Sequence, residues 1–211
     1  MTRLAVLMLI LGVLSLIPAC DAVEGGPASR SSRMREARAG LRVEWRRGEE
    51  LLGKWRVERD RVRVYDAAQV YVGGVERRPL PDGRLGVLTL RAPDGQAREI
   101  VATDGRWVLP GVVVRAHADR LVLTDSTGAE RGVITRGETG LIWTPFEQGE
   151  SLSAAAQGDE VVVRAGEVVA LRVGARRVGP AEAIVQLIPA LGALERAGLA
   201  WIIADWASAG R

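Results

Sequence analysis

Apolar and polar residues alternate along most of this chain with the two-residue period of a half-buried strand. From Leu41 to Val173 the pattern recurs in short segments: LRVEW, GKWRVER, RVRVY, VYVGGVE, LGVLTLR, AREIVA, GVVVRA, RLVLT, RGVITR, DEVVVRA and EVVALRV. Successive side chains of a strand point to opposite faces, so each segment predicts one apolar face and one largely charged face. Between the segments stand Asp82-Gly83, Asp94-Gly95, Asp104-Gly105 and the tetrad Asp125-Ser126-Thr127-Gly128. An Asp opening such a tetrad can accept a hydrogen bond from the backbone two residues on, and the Gly takes the positive φ that closes the loop. Strand after strand at this spacing predicts a mainly β fold, an antiparallel meander of hairpins. A meander this long must hide its edges by closing into a barrel or folding into a sandwich.

The meander repeats itself. Asp60-Arg61-Val62-Arg63-Val64-Tyr65-Asp66 matches Asp119-Arg120-Leu121-Val122-Leu123-Thr124-Asp125, and the same offset pairs Gly73 with Gly132, Val75 with Ile134 and Arg77 with Arg136. A looser third copy starts at Asp159. Each copy is one hairpin, and a lone hairpin is unstable in water, so the copies must share a core. The first copy has Gln69 where the second has Gly128, which predicts a different turn there. Trp45 and Trp55 fall within strand patterns and Trp107 just before one, which predicts packing in the core or at a barrel end.

At Gly179 the period changes. Residues 180–207 read as helical, with Pro180 at the first turn, Glu182 close behind, and Ile184, Leu187, Ile188, Leu191 and Leu194 on one face. Pro189 and Gly198 are expected to kink or divide the helix. Glu195 and Arg196 each cost about 2.5–3.5 kcal/mol at a bilayer centre, more than the segment's Leu and Ile return at about 0.3–0.6 kcal/mol apiece. The segment therefore reads as a helix packed in or against the β domain. GLAWIIADW is apolar nearly all round, which predicts deep burial.

Repeated strand–turn–strand units ahead of a strongly apolar C-terminal helix resemble the tubby-like and LURP-one-related β barrel. The residues that carry the resemblance are the two repeat copies, the Asp125–Gly128 turn and Leu199 to Trp206. It implies antiparallel strands wrapped around one hydrophobic helix, and carries no ligand-binding residue to a position here.

The N-terminus adds an address. Residues 1–19 read as a signal peptide: Arg3, then an apolar run from Leu4 to Ile17, shorter than the ~20 residues a transmembrane helix needs. Ile17-Pro18-Ala19-Cys20 resembles the lipobox of bacterial lipoproteins, with Pro18 departing from the Ser, Thr or Ala usual at that place. The resemblance implies a diacylglyceryl group (palmitate among its chains) on Cys20, with cleavage before it and more than one fatty chain as anchor. Asp21 resembles the sorting signal that retains lipoproteins in the inner membrane of some two-membrane bacteria. The implied location is the cell envelope, on the periplasmic face of the inner membrane, with the outer membrane as the other address. Residues 20–40 read as a flexible tether, in which Arg30, Arg33, Arg35 and Arg38 are expected either to be solvated or to meet anionic lipid head groups, at about 1 kcal/mol per charge. Residues 41–211 are the β domain.

Composition mostly removes options. With Cys20, the only cysteine, committed to lipid, an exported domain must hold together by packing without disulfides. A net charge of +3 is a small arginine excess and does not point to nucleic acid. His117 is the only histidine; a triad with Ser126 and Asp119 or Asp125 lacks any nucleophile-elbow pattern, and a surface histidine is the plainer reading. Glu49-Glu50 and Asp159-Glu160 read as solvated turns. No metal-ligand spacing and no phosphate-cradling glycine loop is present, so no cofactor is expected. The expectation is a membrane-anchored lipoprotein with a non-enzymatic binding or scaffold domain, its protein partner unspecified. The alternative is a carrier of lipid or another hydrophobic ligand in a hollow β barrel.

Overall fold

The alternating segments form strands that each pair with their neighbours in sequence. The structure, a computed structural model, describes residues 41–175 and 178–209. One antiparallel sheet has six strands in chain order: β1 (Leu41–Arg47), β2 (Glu50–Glu58), β3 (Arg61–Tyr65), β4 (Tyr71–Pro79), β5 (Leu85–Arg91) and β6 (Ala97–Val101). The second has eight: β7 (Arg106–Leu109), β8 (Val112–Ala116), β9 (Arg120–Asp125), β10 (Glu130–Arg136), β11 (Gly140–Pro145), β12 (Leu152–Gln157), β13 (Glu160–Ala165) and β14 (Val168–Gly174). The fold is mainly β. At the sheet edges β6 approaches β7 and β1 approaches β14, while the two sheets remain separate ladders.

Three strands lie outside the alternating segments read from the sequence. β7 is four residues long, with Trp107 and Leu109 turned inward, so Trp107 belongs to a strand and does not merely precede one. In β11 the buried Leu141 and Trp143 flank the exposed Ile142, which turns an alternation into an apolar run. β12 is built largely of Ser and Ala, too small to show a period.

The turns follow one scheme. At Leu80–Arg84, Ala92–Gln96 and Asp125–Ala129 the first residue exchanges backbone hydrogen bonds with the fourth and fifth, and the fourth is a glycine with φ of 82°, 88° and 89°. Asp66–Val70 makes the same bonds with Gln69 at φ 63°. The expected difference in this turn is not found. The hairpin geometry overrides the side chain, and Gln69 adopts the left-handed conformation that glycine takes elsewhere.

The helical region is divided. α1 (Pro180–Ile184) starts with Pro180 in its first turn, where the Gly179 N–H donates to Glu182 Oε2 at 2.9 Å. Turns then carry the chain past Pro189 to α2 (Ala193–Ala209), so a single helix over 180–207 is not formed, and Leu187, Ile188 and Leu191 lie between the helices. Pro189 cannot donate to the Val185 carbonyl, so the turns after Ile184 do not resume the helix there. Gly198, expected to break the helix, lies inside α2 without a break. Its role is closeness: a Cβ there would stand 2.8 Å from Leu109 Cδ2.

α2 is held by both sheets. It packs on β3, β4 and β5, and the Leu85 N–H of β5 donates to Asp205 Oδ1 at 2.8 Å. The Trp206 indole N–H donates to the His117 carbonyl at 2.8 Å, in the β8–β9 turn. From Ala197 to Ala207 no residue is exposed, and Leu199, Ile202 and Ile203 are fully buried, each side chain adding about 1.5–3 kcal/mol. α1 packs on β11, β12 and β13. The sequence repeat also meets the helix. Arg77 of β4 lies 5.7 Å from the Trp201 ring centre, and its repeat mate Arg136 of β10 lies 3.9 Å from that of Trp206. Among the described residues no helix is long and apolar enough to cross a membrane.

Candidate functional site

The polar phase of β1–β5 faces outward, and strand register stacks arginines across that face. Arg42 of β1 stands opposite Arg56 of β2, Arg56 opposite Arg63 of β3, Arg63 opposite Gly74 of β4, and Gly74 opposite Arg91 of β5. The alternation that buries Val43, Trp55, Val62 and Val75 sends these arginines to the other side of the sheet. Like charges directly opposite one another weaken a ladder.

Two glutamates in the adjoining row relieve part of the repulsion. Glu58 Oε1 lies 3.3 Å from Arg63 Nε and 3.7 Å from Arg56 Nε. Glu76 pairs with Arg61 and lies 3.4 Å from Arg91 Nε. Burial works to raise the Glu76 carboxyl, but the Arg61 and Arg91 guanidiniums together hold the group below the usual carboxylate range. Arg42 has no ion pair among the described residues.

Gly74 opens a gap in the row. Over it lies a depression of about 290 Å³, walled by Arg61, Arg63, Arg91, Tyr65, Tyr71 and Glu76. The tyrosine rings lean together with centres 5.6 Å apart, and the Tyr71 hydroxyl stands 3.5 Å from where a Cβ on Gly74 would be. Strands sit about 4.8 Å apart, so the backbones of Arg63 and Arg91 are about 10 Å apart across the gap. Each guanidinium meets its nearest carboxylate through Nε, and neither has another hydrogen bond among the described residues. A second cleft, of about 440 Å³, adjoins this face where Arg42, Glu44 and Lys54 approach Val173 and Gly174 of β14. The arrangement offers cationic donors and aromatic walls, which suits recognition of an anion.

The residues singled out in the sequence fare differently. Cys20, Asp21, Arg30, Arg33, Arg35 and Arg38 lie outside the described residues. His117 is exposed in the β8–β9 turn, beside the exposed Asp119. Ser126 and Asp125 are at the other end of β9, about 17 Å of strand away, so the residues of the conceivable triad are not brought together. The Asp125 carboxylate is engaged in its own turn. Oδ1 accepts from the Thr127 hydroxyl at 2.6 Å and from the Thr127 and Ala129 N–H groups at 2.8 and 3.0 Å, and Arg131 reaches Oδ2 at 2.7 Å. The Thr127 hydroxyl, helped by these other donors, brings its pKa down to about 2. Glu49 and Glu50 are exposed at the β1–β2 turn, and Glu160 pairs with Arg172 at 3.1 Å.

Reading single segments missed the arginine row. The signal was present as Arg in the polar phase of LRVEW, KWRVER and RVRVY, but only register turns that phase into a row. No protein-family model, curated protein or solved structure matches the chain.

Proposed function

We propose that this protein is a membrane-anchored bacterial lipoprotein whose extracytoplasmic β domain is a non-enzymatic binding module. The observation that carries the binding reading is α2, enclosed by side chains of both sheets along Ala197 to Ala207. An occupied centre leaves the outer faces for recognition, and the arginine face is the one with built-in donors. The approach of β1 to β14 and of β6 to β7 supports a flattened barrel around α2, in line with the tubby-like resemblance. The carrier alternative needs a hollow interior and predicts co-purifying lipid; the packed helix weighs against it.

The anchor reading is supported by Ile17-Pro18-Ala19-Cys20 behind a short apolar segment, with the tether following. Expression in a bacterium with labelled palmitate tests it. The parent chain is expected to take up label and sediment with membranes, and Cys20→Ala to lose the label. An unlabelled parent would refute the anchor.

A further inference from the structure

We infer that the depression over Gly74 is a binding site for a phosphate group, carried either by a small soluble phosphate or by a phospholipid head group. The inference rests on the binding-module reading of this face and is independent of the lipid anchor.

Four features of the depression lead to phosphate. Arg63 and Arg91 flank it from neighbouring strands, and the guanidinium fork matches the paired oxygens of a phosphate. Glu58 and Glu76 approach these two arginines most closely at Nε, and both guanidinium-bearing side chains line the depression. The missing side chain at Gly74 creates the space, and Tyr71 brings a hydroxyl to its edge. Finally, Arg56 stands directly opposite Arg63, a like-charge pairing that an anion held beside Arg63 would relieve. Glu76 is the one wall that opposes an anion, and its Oε1 is already shared by Arg61 and Arg91. At physiological salt the screening length is about 8 Å, so both arginines act on a group held over Gly74 while Arg42, two strands beyond Arg63, contributes little.

The test uses the full-length chain in neutral detergent at physiological salt, titrated calorimetrically with inorganic phosphate and, separately, with dihexanoyl phosphatidic acid. Saturable binding of about one probe per chain is expected. Arg63→Gln with Arg91→Gln should weaken it about tenfold or more, and Gly74→Val, which fills the gap without changing charge, should weaken it likewise. Arg42→Gln should leave it unchanged. Thermal melts identify folded variants; should Gly74→Val fail to fold, the exposed arginine pair decides. Binding of inorganic phosphate assigns a soluble ligand, and binding of the lipid alone assigns a head group. The inference is overturned if neither probe saturates, or if Arg42→Gln weakens binding as much as the Arg63 and Arg91 pair. Loss of the palmitate result would remove the anchor and leave this titration unaffected.

Discussion

Two turn residues show how one position carries a measurable share of stability. Gln69 sits at φ 63° in a turn whose counterparts use glycine. Left-handed backbone costs a side-chain-bearing residue about 1–2 kcal/mol, and glycine returns about 0.4–1 kcal/mol of that through its more flexible unfolded state. Gln69→Gly is therefore expected to raise stability by about 0.5–1 kcal/mol, read as a higher urea midpoint at unchanged slope. Asp125 works through charge. Its pKa is lowered from 3.8 to about 2, chiefly by the Thr127 hydroxyl, so its ionised form favours the folded state. That contribution is complete above the unfolded pKa near 4 and is lost as pH falls toward 2. Asp125→Asn should lower the melting temperature at pH 6 and flatten the dependence between pH 4 and 2. A parent and variant with parallel profiles across that window would contradict this role.

Among the elements, α2 shows why a glycine can be helical and indispensable at once. In an isolated helix Gly198 would cost about 1 kcal/mol relative to alanine. Here it lets the helix approach β7 until Leu109 occupies the space a side chain would take. Gly198→Leu is expected to destabilise by about 1–3 kcal/mol through overpacking. Adding Leu109→Ala should recover part of the loss, a coupling that a double-mutant cycle in urea measures directly. At the start of α2, burial pushes the Glu195 carboxyl above its ordinary value and lowers the Arg196 guanidinium. The two charges read as mid-helix in the sequence stand in the first turn, where a carboxylate complements the helix dipole.

For the whole molecule, the decisive fact is that one buried cluster runs through both sheets and both helices. The first sheet packs on α2 through β3–β5 and the second on α1 through β11–β13, all within one cluster, so neither has a complete core alone. A chain truncated after Gly192 is expected to lose its cooperative thermal transition and to bind a hydrophobic dye, while retaining strand signal in circular dichroism. A sharp melt in that truncation would mean that the sheets pack well enough without the helix. The arginine face belongs to this scale too, because it exists only when five strands stand in register.

The two-residue period was enough to place most strands, because alternation is a local consequence of a sheet with one wet face. It failed where β11 has an exposed Ile142 and where β12 has side chains too small to show a phase. The Asp and Gly turn signals were equally local, and Gln69 escaped because a hairpin can impose a backbone state its residue does not prefer. Pro189 marked a real division, whereas Gly198 needed the position of Leu109 to be understood. Only the tertiary structure decided what the helix touches and which polar side chains become neighbours. Arg63 and Arg91 are far apart along the chain and one glycine apart across the sheet, because hydrogen-bonded register, set by every turn between them, brings them together.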